Sequence, residues 1–141
     1  MTLVNHVGIT VSDLDASVAF YVDIVGMELL TRTTIGGEWF DTLTRNSGAV
    51  IGVVMLRSPD VVLQLVQYER GGIPDAVTGH NRVGNVHLCI NVDDVSATRE
   101  AVVAAGLEAT PIVPLPVPGM RSFYSADPDG VPVEFLQPPP P

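Results

Sequence analysis

An internal repeat limits the folds open to this chain more than any other feature of its sequence. The segment HVGITVSDLDASVAFYVDIVGMEL begins at His6, and the segment HLCINVDDVSATREAVVAAGLEA begins at His87. An offset of 81 residues aligns His6 with His87, and one deletion then aligns Gly26 with Gly106. The chain is therefore predicted to consist of two copies of one structural unit.

Each copy begins with a strand that runs into a helix. Alternate residues from Val7 and from Leu88 are apolar, which is typical of a strand with one buried face. The same alternation puts His6 and His87 on the opposite face. Serine and aspartate residues, the common helix caps, follow each strand, and a glycine ends each helical pattern about three turns later.

The ends of the two copies match as well. DVVLQLVQ aligns with GVPVEFLQ at an offset of 70 residues, which pairs Gln64 with Glu134. Two more strands fit between the helix and the last strand, as LLTRTTI and AVIGVVML in the first copy and EATPIVPL and RSFYSAD in the second. We therefore predict an α+β fold of two tandem βαβββ modules, at about residues 1–70 and 82–137.

The two modules are predicted to form one domain that covers residues 1–141, a length at which a chain can bury a core without disulfides or structural metals. A glycine-rich linker at about 71–81, GGIPDAVTGHN, joins the modules. The prolines at 138–141 cannot donate hydrogen bonds to a sheet and are predicted to form an extended tail.

Composition excludes several classes of function. Acidic residues outnumber basic ones 16 to 7, so a net charge of −9 disfavours binding to nucleic acid or to anionic membranes. No apolar run approaches the roughly 20 residues that span a bilayer. The N-terminus lacks a signal-peptide pattern, and one cysteine, Cys89, cannot form an intrachain disulfide, so a cytoplasmic location is expected.

Four polar residues occupy matched positions on strands that are otherwise mostly apolar: His6, His87, Gln64 and Glu134. If the modules pack about a pseudo-twofold axis, two imidazoles, an amide oxygen and a carboxylate converge. Such a nitrogen and oxygen set suits a divalent ion such as Mn, Fe, Co, Ni or Zn.

Simpler explanations exist for each of these residues. His6 alone is compatible with a solvated histidine near the N-terminus, and Gln64 with a buried amide that is hydrogen-bonded to a neighbour. Glu134 is harder to explain without a cation, because a buried carboxylate is costly, and the alternative partners are Arg121 and Arg57.

The chain resembles the vicinal oxygen chelate superfamily, which contains glyoxalase I, methylmalonyl-CoA epimerase, extradiol dioxygenases, and fosfomycin- and bleomycin-resistance proteins. The resemblance rests on NHVGITVSDLDASVAFY, VLQLVQY, VHLCINVDDV and, most specifically, FYSADPDGVPVEFLQ. It implies a cupped, pseudo-twofold mixed sheet, a homodimer and a small-molecule substrate. It also implies a metal held by His6, Gln64, His87 and Glu134, an order closest to that of the epimerases and the glyoxalases.

The resemblance also implies chemistry in which the metal chelates two neighbouring substrate oxygens and stabilises an enolate or enediolate. A lyase or isomerase of this kind needs a base, and Glu134 is the candidate. One alternative is an extradiol-type Fe(II) dioxygenase that uses His6, His87 and Glu134. Another is a metal-free binding or resistance protein, which the absence of an acidic residue from AVIGVVML favours.

Further residues are candidates for contact with a substrate. Trp39 and Tyr124 are predicted to line an apolar pocket, and Arg121 to hold an anionic group. Cys89 shares a strand face with His87, although a small inert core residue is the favoured interpretation. Specificity is expected to depend on three segments that we interpret as loops, GGEWFDTLTRN, GGIPDAVTGHN and PIVPLPVPGM.

Overall fold

Two four-stranded sheets, one in each half of the chain, form the framework of the protein. The computed structural model describes residues 1–76 and 79–141, so part of the predicted linker at about 71–81 lies outside the described residues. These residues divide into two units, Met1–Asp75 and Ala76–Pro141. Within the described part of the chain, no helix has the length and apolar character needed to cross a membrane.

The first unit combines one mixed sheet with two helices among its described residues. Its elements are β1 (Val7–Thr10), α1 (Leu14–Ala19), β2 (Glu28–Gly36), α2 (Glu38–Thr44), β3 (Val50–Arg57) and β4 (Val62–Arg70), and α1 continues into a π-helical turn over Phe20–Ile24. The strand order is β1-β4-β3-β2; β1 and β4 are parallel, and the other pairs are antiparallel.

The second unit repeats this plan. Its elements are β5 (Leu88–Asn91), α3 (Val95–Ala104), β6 (Val113–Pro114), β7 (Arg121–Ala126) and β8 (Pro132–Gln137). The strand order is β5-β8-β7-β6, again with one parallel pair, β5 and β8, and two antiparallel pairs. The prediction of an α+β fold built from two similar modules is therefore confirmed.

In each unit the sheet packs one apolar face against the first helix of that unit. In the first unit Leu63 and Leu65 of β4 are fully buried, and in the second unit Val133 and Phe135 of β8 are fully buried. α1 contacts β4, and α3 contacts β8. Because side chains alternate along a strand, the residues between these buried positions lie on the other face of each sheet. Gln64 and Glu134 are two of them.

The acidic caps expected at both helix starts are present. The Asp13 carboxylate accepts a hydrogen bond from the Ala16 backbone N–H at 3.0 Å. Asp94 accepts from the backbone N–H groups of Ser96 and Ala97, at 2.9 and 3.0 Å. Each cap satisfies helix N–H groups that have no partner within the helix.

A repeated glutamine ties the last strand of each sheet to the start of its helix. The side-chain oxygen of Gln67 accepts from the Leu14 backbone N–H at 2.8 Å. The side-chain oxygen of Gln137 accepts from the Val95 backbone N–H at 3.0 Å. We call this pair of contacts the glutamine anchors. They link strand and helix in the same way in both units.

Replacement of Gln67 by alanine is expected to destabilise the protein by about 1–3 kcal/mol, because the partly buried N–H of Leu14 loses its acceptor. Urea denaturation followed by circular dichroism measures the change. Glu69→Ala, on an exposed position of the same strand, is the control and should stay within about 0.5 kcal/mol of wild type. Equal effects of the two substitutions would contradict the role of the anchor.

The segment GGEWFDTLTRN, which the sequence suggested to be a loop, contains α2, so the first module is βαβαββ rather than βαβββ. The helix follows Gly37 in a positive-φ conformation and ends at Arg45, which has a left-handed backbone. Phe40 is its one buried residue, and it joins a cluster with Ile51 and Val53 of β3. Packing of this single aromatic ring therefore explains a short helix that local propensity does not predict.

The predicted strand EATPIVPL is reduced to the two residues of β6, Val113–Pro114. Prolines at 111, 114 and 116 cannot donate to a neighbouring strand, and β6 lies at the edge of its sheet, where proline is tolerated. Proline therefore limits the strand pairing here.

Candidate functional site

The second unit brings two of the four predicted ligands together on the sheet face that points away from its helix. Strand register places Glu134 of β8 between Cys89 of β5 and Tyr124 of β7. His87 lies two residues before Cys89, on the same side. The side chain of His87 is 46% exposed and that of Glu134 is 14% exposed. This face is therefore polar and reachable from solvent.

Hydrogen bonds hold both oxygens of the Glu134 carboxylate. The Ser122 hydroxyl donates to Oε1 at 2.9 Å, and the Tyr124 hydroxyl donates to Oε2 at 2.9 Å. The Oε2 atom also lies 3.6 Å from Nε2 of His87. A partly buried carboxylate without such partners would be costly, so the two hydroxyl groups stabilise its charged form.

The opposite face of this sheet is a tightly packed apolar layer. Phe123 and Phe135 stack with ring centroids 5.0 Å apart, and each is almost completely buried. Val95 and Val102 of α3 are also fully buried. Since Tyr124 and Glu134 follow or precede these phenylalanines in sequence, the packed layer holds the polar side chains in fixed positions.

The two arginines considered as partners of Glu134 bind elsewhere. Arg57 forms an ion pair with Glu28 at 2.9 Å, and Arg121 donates to Oε1 of Gln137 at 2.9 Å. Arg121 is three residues from Tyr124, so the two side chains leave β7 on opposite faces. We therefore leave Arg121, a predicted anion-binding residue, out of the candidate site.

The first unit presents the other two predicted ligands. Register places Gln64 of β4 between Gly8 of β1 and Met55 of β3. His6 immediately precedes β1, two residues before Gly8. The Gln64 side chain is partly exposed, and within residues 1–76 and 79–141 its amide forms no hydrogen bond. Within these residues, the partner that the interpretation of Gln64 as an internally satisfied amide requires is not found.

His6 is exposed, and one of its ring nitrogens is already engaged. Its Nδ1 lies 2.7 Å from Oδ1 of Asn5, a hydrogen bond in the tautomer that has its proton on Nδ1. The lone pair of the neutral ring is then on Nε2. A histidine that binds a metal through one nitrogen commonly donates a hydrogen bond from the other, and His6 meets this requirement.

Trp39 lies on α2 of the first unit and is 60% exposed, with its ring against that of Phe40 at a centroid distance of 5.7 Å. Tyr124 is partly buried in the second unit, and its hydroxyl binds Glu134. The two predicted substrate contacts therefore lie in different units, and only Tyr124 touches a predicted ligand.

The pair of His87 and Glu134 fits part of a site for a divalent ion. Two ligand atoms at 2.0–2.2 Å from one ion in tetrahedral geometry are roughly 3.4 Å apart. Nε2 of His87 and Oε2 of Glu134 are separated by 3.6 Å, close to this value. Among residues 1–76 and 79–141, no three His, Cys, Asp or Glu side chains cluster so that they could hold a metal ion. Each unit therefore contains one imidazole and one oxygen donor of the predicted ligand set.

His80 is a neighbour of this pair that sequence reasoning missed. Its ring stands edge-on to that of Tyr124 at a centroid distance of 4.4 Å, and 6.5 Å from the ring of His87. His80 lies in the segment interpreted as a linker, and the internal repeat does not align it with another histidine. The only signal in the sequence was its position seven residues before His87.

Tyr124 keeps its proton over the whole physiological range. Burial, followed by its hydrogen bond to Glu134 and the charge of that carboxylate, raises the pKa of Tyr124 to about 12. A protonated phenol is a donor, so the contact with Glu134 persists wherever that residue is ionised.

Cys89 is exposed, so its interpretation as a core residue was wrong, although the expectation of an inert thiol stands. Partial burial of the thiol, followed by the charge of Glu134 and a hydrogen bond to it, raises the pKa of Cys89 from 9.0 to about 11. The thiolate fraction at neutral pH is correspondingly small.

In the metal-free protein Cys89 is therefore expected to react with iodoacetamide at pH 8 roughly tenfold more slowly than an unperturbed cysteine. The higher pKa lowers the thiolate fraction about 100-fold, and the greater nucleophilicity of a more basic thiolate offsets part of this. Mass spectrometry of timed samples measures the rate. Glu134→Gln should accelerate the reaction and Glu100→Gln should not; the same rate in all three proteins would contradict the coupling of Cys89 to Glu134.

Comparison with known proteins gives a consistent result. The family model described as "Glyoxalase/Bleomycin resistance protein/Dioxygenase superfamily" matches residues 3–135. A lactoylglutathione lyase of Haemophilus influenzae is 34% identical over 140 residues, which cover 94% of this chain and 90% of that protein. A 2-epi-5-epi-valiolone epimerase of an Actinomyces species is 31% identical over 142 residues, which cover 94% and 78%.

Among solved structures, a glyoxalase family protein from Bacillus cereus superimposes with a TM-score of 0.85 at 19% identity. The superposition covers 99% of this chain and 96% of that protein. At this identity the likeness concerns the fold, which agrees with the arrangement of strands and helices described above.

Proposed function

From the premise that the chain belongs to the glyoxalase, bleomycin resistance protein and dioxygenase superfamily, we propose that it is a metal-dependent lyase or isomerase. Its substrate is a small molecule with two neighbouring oxygens, and the reaction removes a proton from the carbon beside them. The observation that carries this proposal is the pair of His87 and Glu134, 3.6 Å apart on an open sheet face.

The ligands of the proposed ion are His6, Gln64, His87 and Glu134. The two units repeat the same strand order, and each provides a histidine and an oxygen donor at matched positions. His87 and Glu134 are separated as two ligands of one ion would be, and His6 has Nε2 available. An ion of Mn, Fe, Co, Ni or Zn suits such a mixed set, and when bound it supplies Lewis acidity to the substrate oxygens.

The protein groups then have separate tasks. Glu134 is the base that takes the proton, because it is the one carboxylate of the ligand set and it faces the open side of the sheet. Tyr124 and Ser122 support its charged form through their hydrogen bonds. β3 carries no acidic residue that could act as a second base, so a one-base reaction fits better than the epimerisation of an acyl-CoA.

Two relatives support an enzyme of this kind, since they are named a lactoylglutathione lyase and an epimerase and align over nearly the whole chain. Their names direct the first substrates to try: lactoylglutathione and small polyhydroxylated cyclic ketones. Proton exchange with D₂O at the carbon beside the carbonyl, followed by NMR, reports the proposed step without knowledge of the final product.

Metal binding is the first test. Chelator-treated protein titrated with each of the five ions by isothermal calorimetry should bind one ion per chain. His6→Ala and His87→Ala should each weaken binding at least tenfold, whereas Glu100→Gln, which changes an exposed carboxylate of α3, should leave it within about threefold. Wild-type protein that binds none of the ions, or a His87→Ala variant with unchanged affinity, would contradict the proposal.

The same preparations separate the alternatives. Oxygen consumption in the presence of Fe(II) and a catechol would point to the extradiol dioxygenase. Tight binding of a small apolar ligand by metal-free protein, without any proton exchange, would point to a binding or resistance protein. The homodimer and the cytoplasmic location stay predictions; light scattering after gel filtration measures the first, and cell fractionation the second.

A further inference from the structure

The two ligand strands differ in what surrounds the oxygen ligand. In the second unit the neighbours of Glu134 on β7 are Tyr124, directly opposite, and Ser122, two residues away on the same face. At the matched positions of the first unit, the neighbours of Gln64 on β3 are Met55 and Val53. The carboxylate therefore has two hydroxyl donors where the amide has two apolar side chains.

This difference goes beyond the needs of the fold. Val53 belongs to the apolar cluster around Phe40, and Met55 packs against it. A sheet with this strand order can therefore hold apolar side chains at the two positions beside its oxygen ligand. Ser122 is 2% exposed, and its hydroxyl would be costly at this depth without a partner. Its partner is the Glu134 carboxylate, at 2.9 Å.

The hydrogen bonds define the orientation of the carboxylate. Ser122 occupies Oε1, which leaves Oε2 as the oxygen that faces His87. The Tyr124 hydroxyl donates to Oε2 and lies 3.4 Å from Nε2 of His87. A carboxylate oxygen has two lone-pair directions, so Oε2 can accept from Tyr124 and still bind another group.

From these contacts we infer that Ser122 and Tyr124 are positioning residues, which fix the Glu134 carboxylate so that Oε2, and not Oε1, is the oxygen that would be presented to the metal. This inference rests on the proposed function, because it assigns a task to residues that touch a proposed ligand rather than to the ligand itself. It extends the site to a serine that no motif in the sequence singled out.

Metal affinity tests the inference in four variants. Ser122→Ala and Tyr124→Phe should each weaken binding of the preferred ion about 10–100-fold, the usual effect of removing a partner of a metal ligand. Ser122→Thr keeps the hydroxyl and should restore affinity to within about threefold. The matched control is Ser125→Ala: Ser125 is also buried on β7, but its hydroxyl donates to the backbone oxygen of Glu108 at 2.8 Å.

A cobalt-substituted protein gives a second readout, because its visible absorption reports the ligand geometry. The spectrum should change in Ser122→Ala and Tyr124→Phe and stay unchanged in Ser125→Ala. Affinities and spectra of Ser122→Ala and Tyr124→Phe that match those of the control would overturn the inference, even if Glu134→Gln had lost metal binding as the proposed function requires.

A measurement without metal keeps the two proposals distinguishable. Carbon-13 relaxation of the Glu134 side chain in metal-free protein should show lower order in the double variant Ser122→Ala/Tyr124→Phe than in wild type. If wild type bound no metal but the order of the Glu134 side chain were still lower in the double variant, the proposed function would fail and the positioning role would stand. Unchanged order in the double variant would overturn the positioning role. Thermal unfolding verifies that the variants are folded.

Discussion

Replacement of Glu134 by glutamine is expected to lower kcat/KM at least 100-fold, and as much as about 10,000-fold, while the protein stays folded. An amide cannot take a proton, so the proposed reaction loses its base, and loss of a positioned base has effects of this size. The neutral side chain is also a weaker metal ligand than a carboxylate. The measurements are proton exchange in D₂O, turnover of the best substrate, and calorimetric metal binding.

The internal repeat offers the matched controls. Gln64→Glu places the carboxylate on the other ligand strand and should keep metal binding, because a carboxylate is at least as good a ligand as an amide. Glu100→Gln removes an exposed carboxylate from α3 and should have no effect. A Glu134→Gln variant that kept more than a tenth of wild-type activity would exclude Glu134 as the base.

Phe135→Ala is expected to have the largest effect on stability. Phe135 is completely buried and stacked on Phe123 beneath the polar face of the second unit. Truncation of a buried phenylalanine costs about 3–5 kcal/mol through lost apolar contacts and the cavity that remains. For a chain of this size the midpoint of thermal unfolding should fall by roughly 10 °C. Calorimetry and urea denaturation measure the two quantities.

Two further substitutions complete this test. Phe135→Leu keeps most of the apolar volume and should recover more than half of the loss. Val117→Ala, at an exposed apolar position of the same unit, should change stability by less than about 0.5 kcal/mol. If Phe135→Ala lowered the free energy of unfolding no more than Val117→Ala does, the stacked pair would not stabilise this layer.

The fold could be predicted because the sequence contains two copies of one pattern of strands and helix. The alternation from Val7 and from Leu88 and the aligned ends of the two copies agree, so each weak local pattern supports the other. This agreement gave the strand order of neither sheet, but it gave the number of strands in each module and the matched places of Gln64 and Glu134. Strand alternation then put His87 on the same face as Glu134, as the structure has it.

The features that escaped prediction depend on contacts between segments far apart in the chain. α2 forms because Phe40 packs on β3, and no local signal favours a helix between two glycines and a threonine-rich end. The partners of Glu134 depend on the register of β7 against β8, and a shift by one residue would exchange Ser122 and Tyr124 for residues of the other face. One relation was readable from the sequence: Arg121 and Tyr124 are an odd number of residues apart, so one strand cannot present both on the same face.

The glutamine anchors have a consequence for how such a site can change over time. Gln67 and Gln137 each lie three residues after a proposed oxygen ligand, and their hydrogen bonds to the helix start oppose a shift of that strand along the sheet. Location and chemistry are thereby set by different residues. A mutation at the ligand position can exchange amide for carboxylate, and so tune charge and basicity, without disturbing where the side chain is delivered. The two units share this contact and differ at the proposed ligand position, which is an amide in the first unit and a carboxylate in the second.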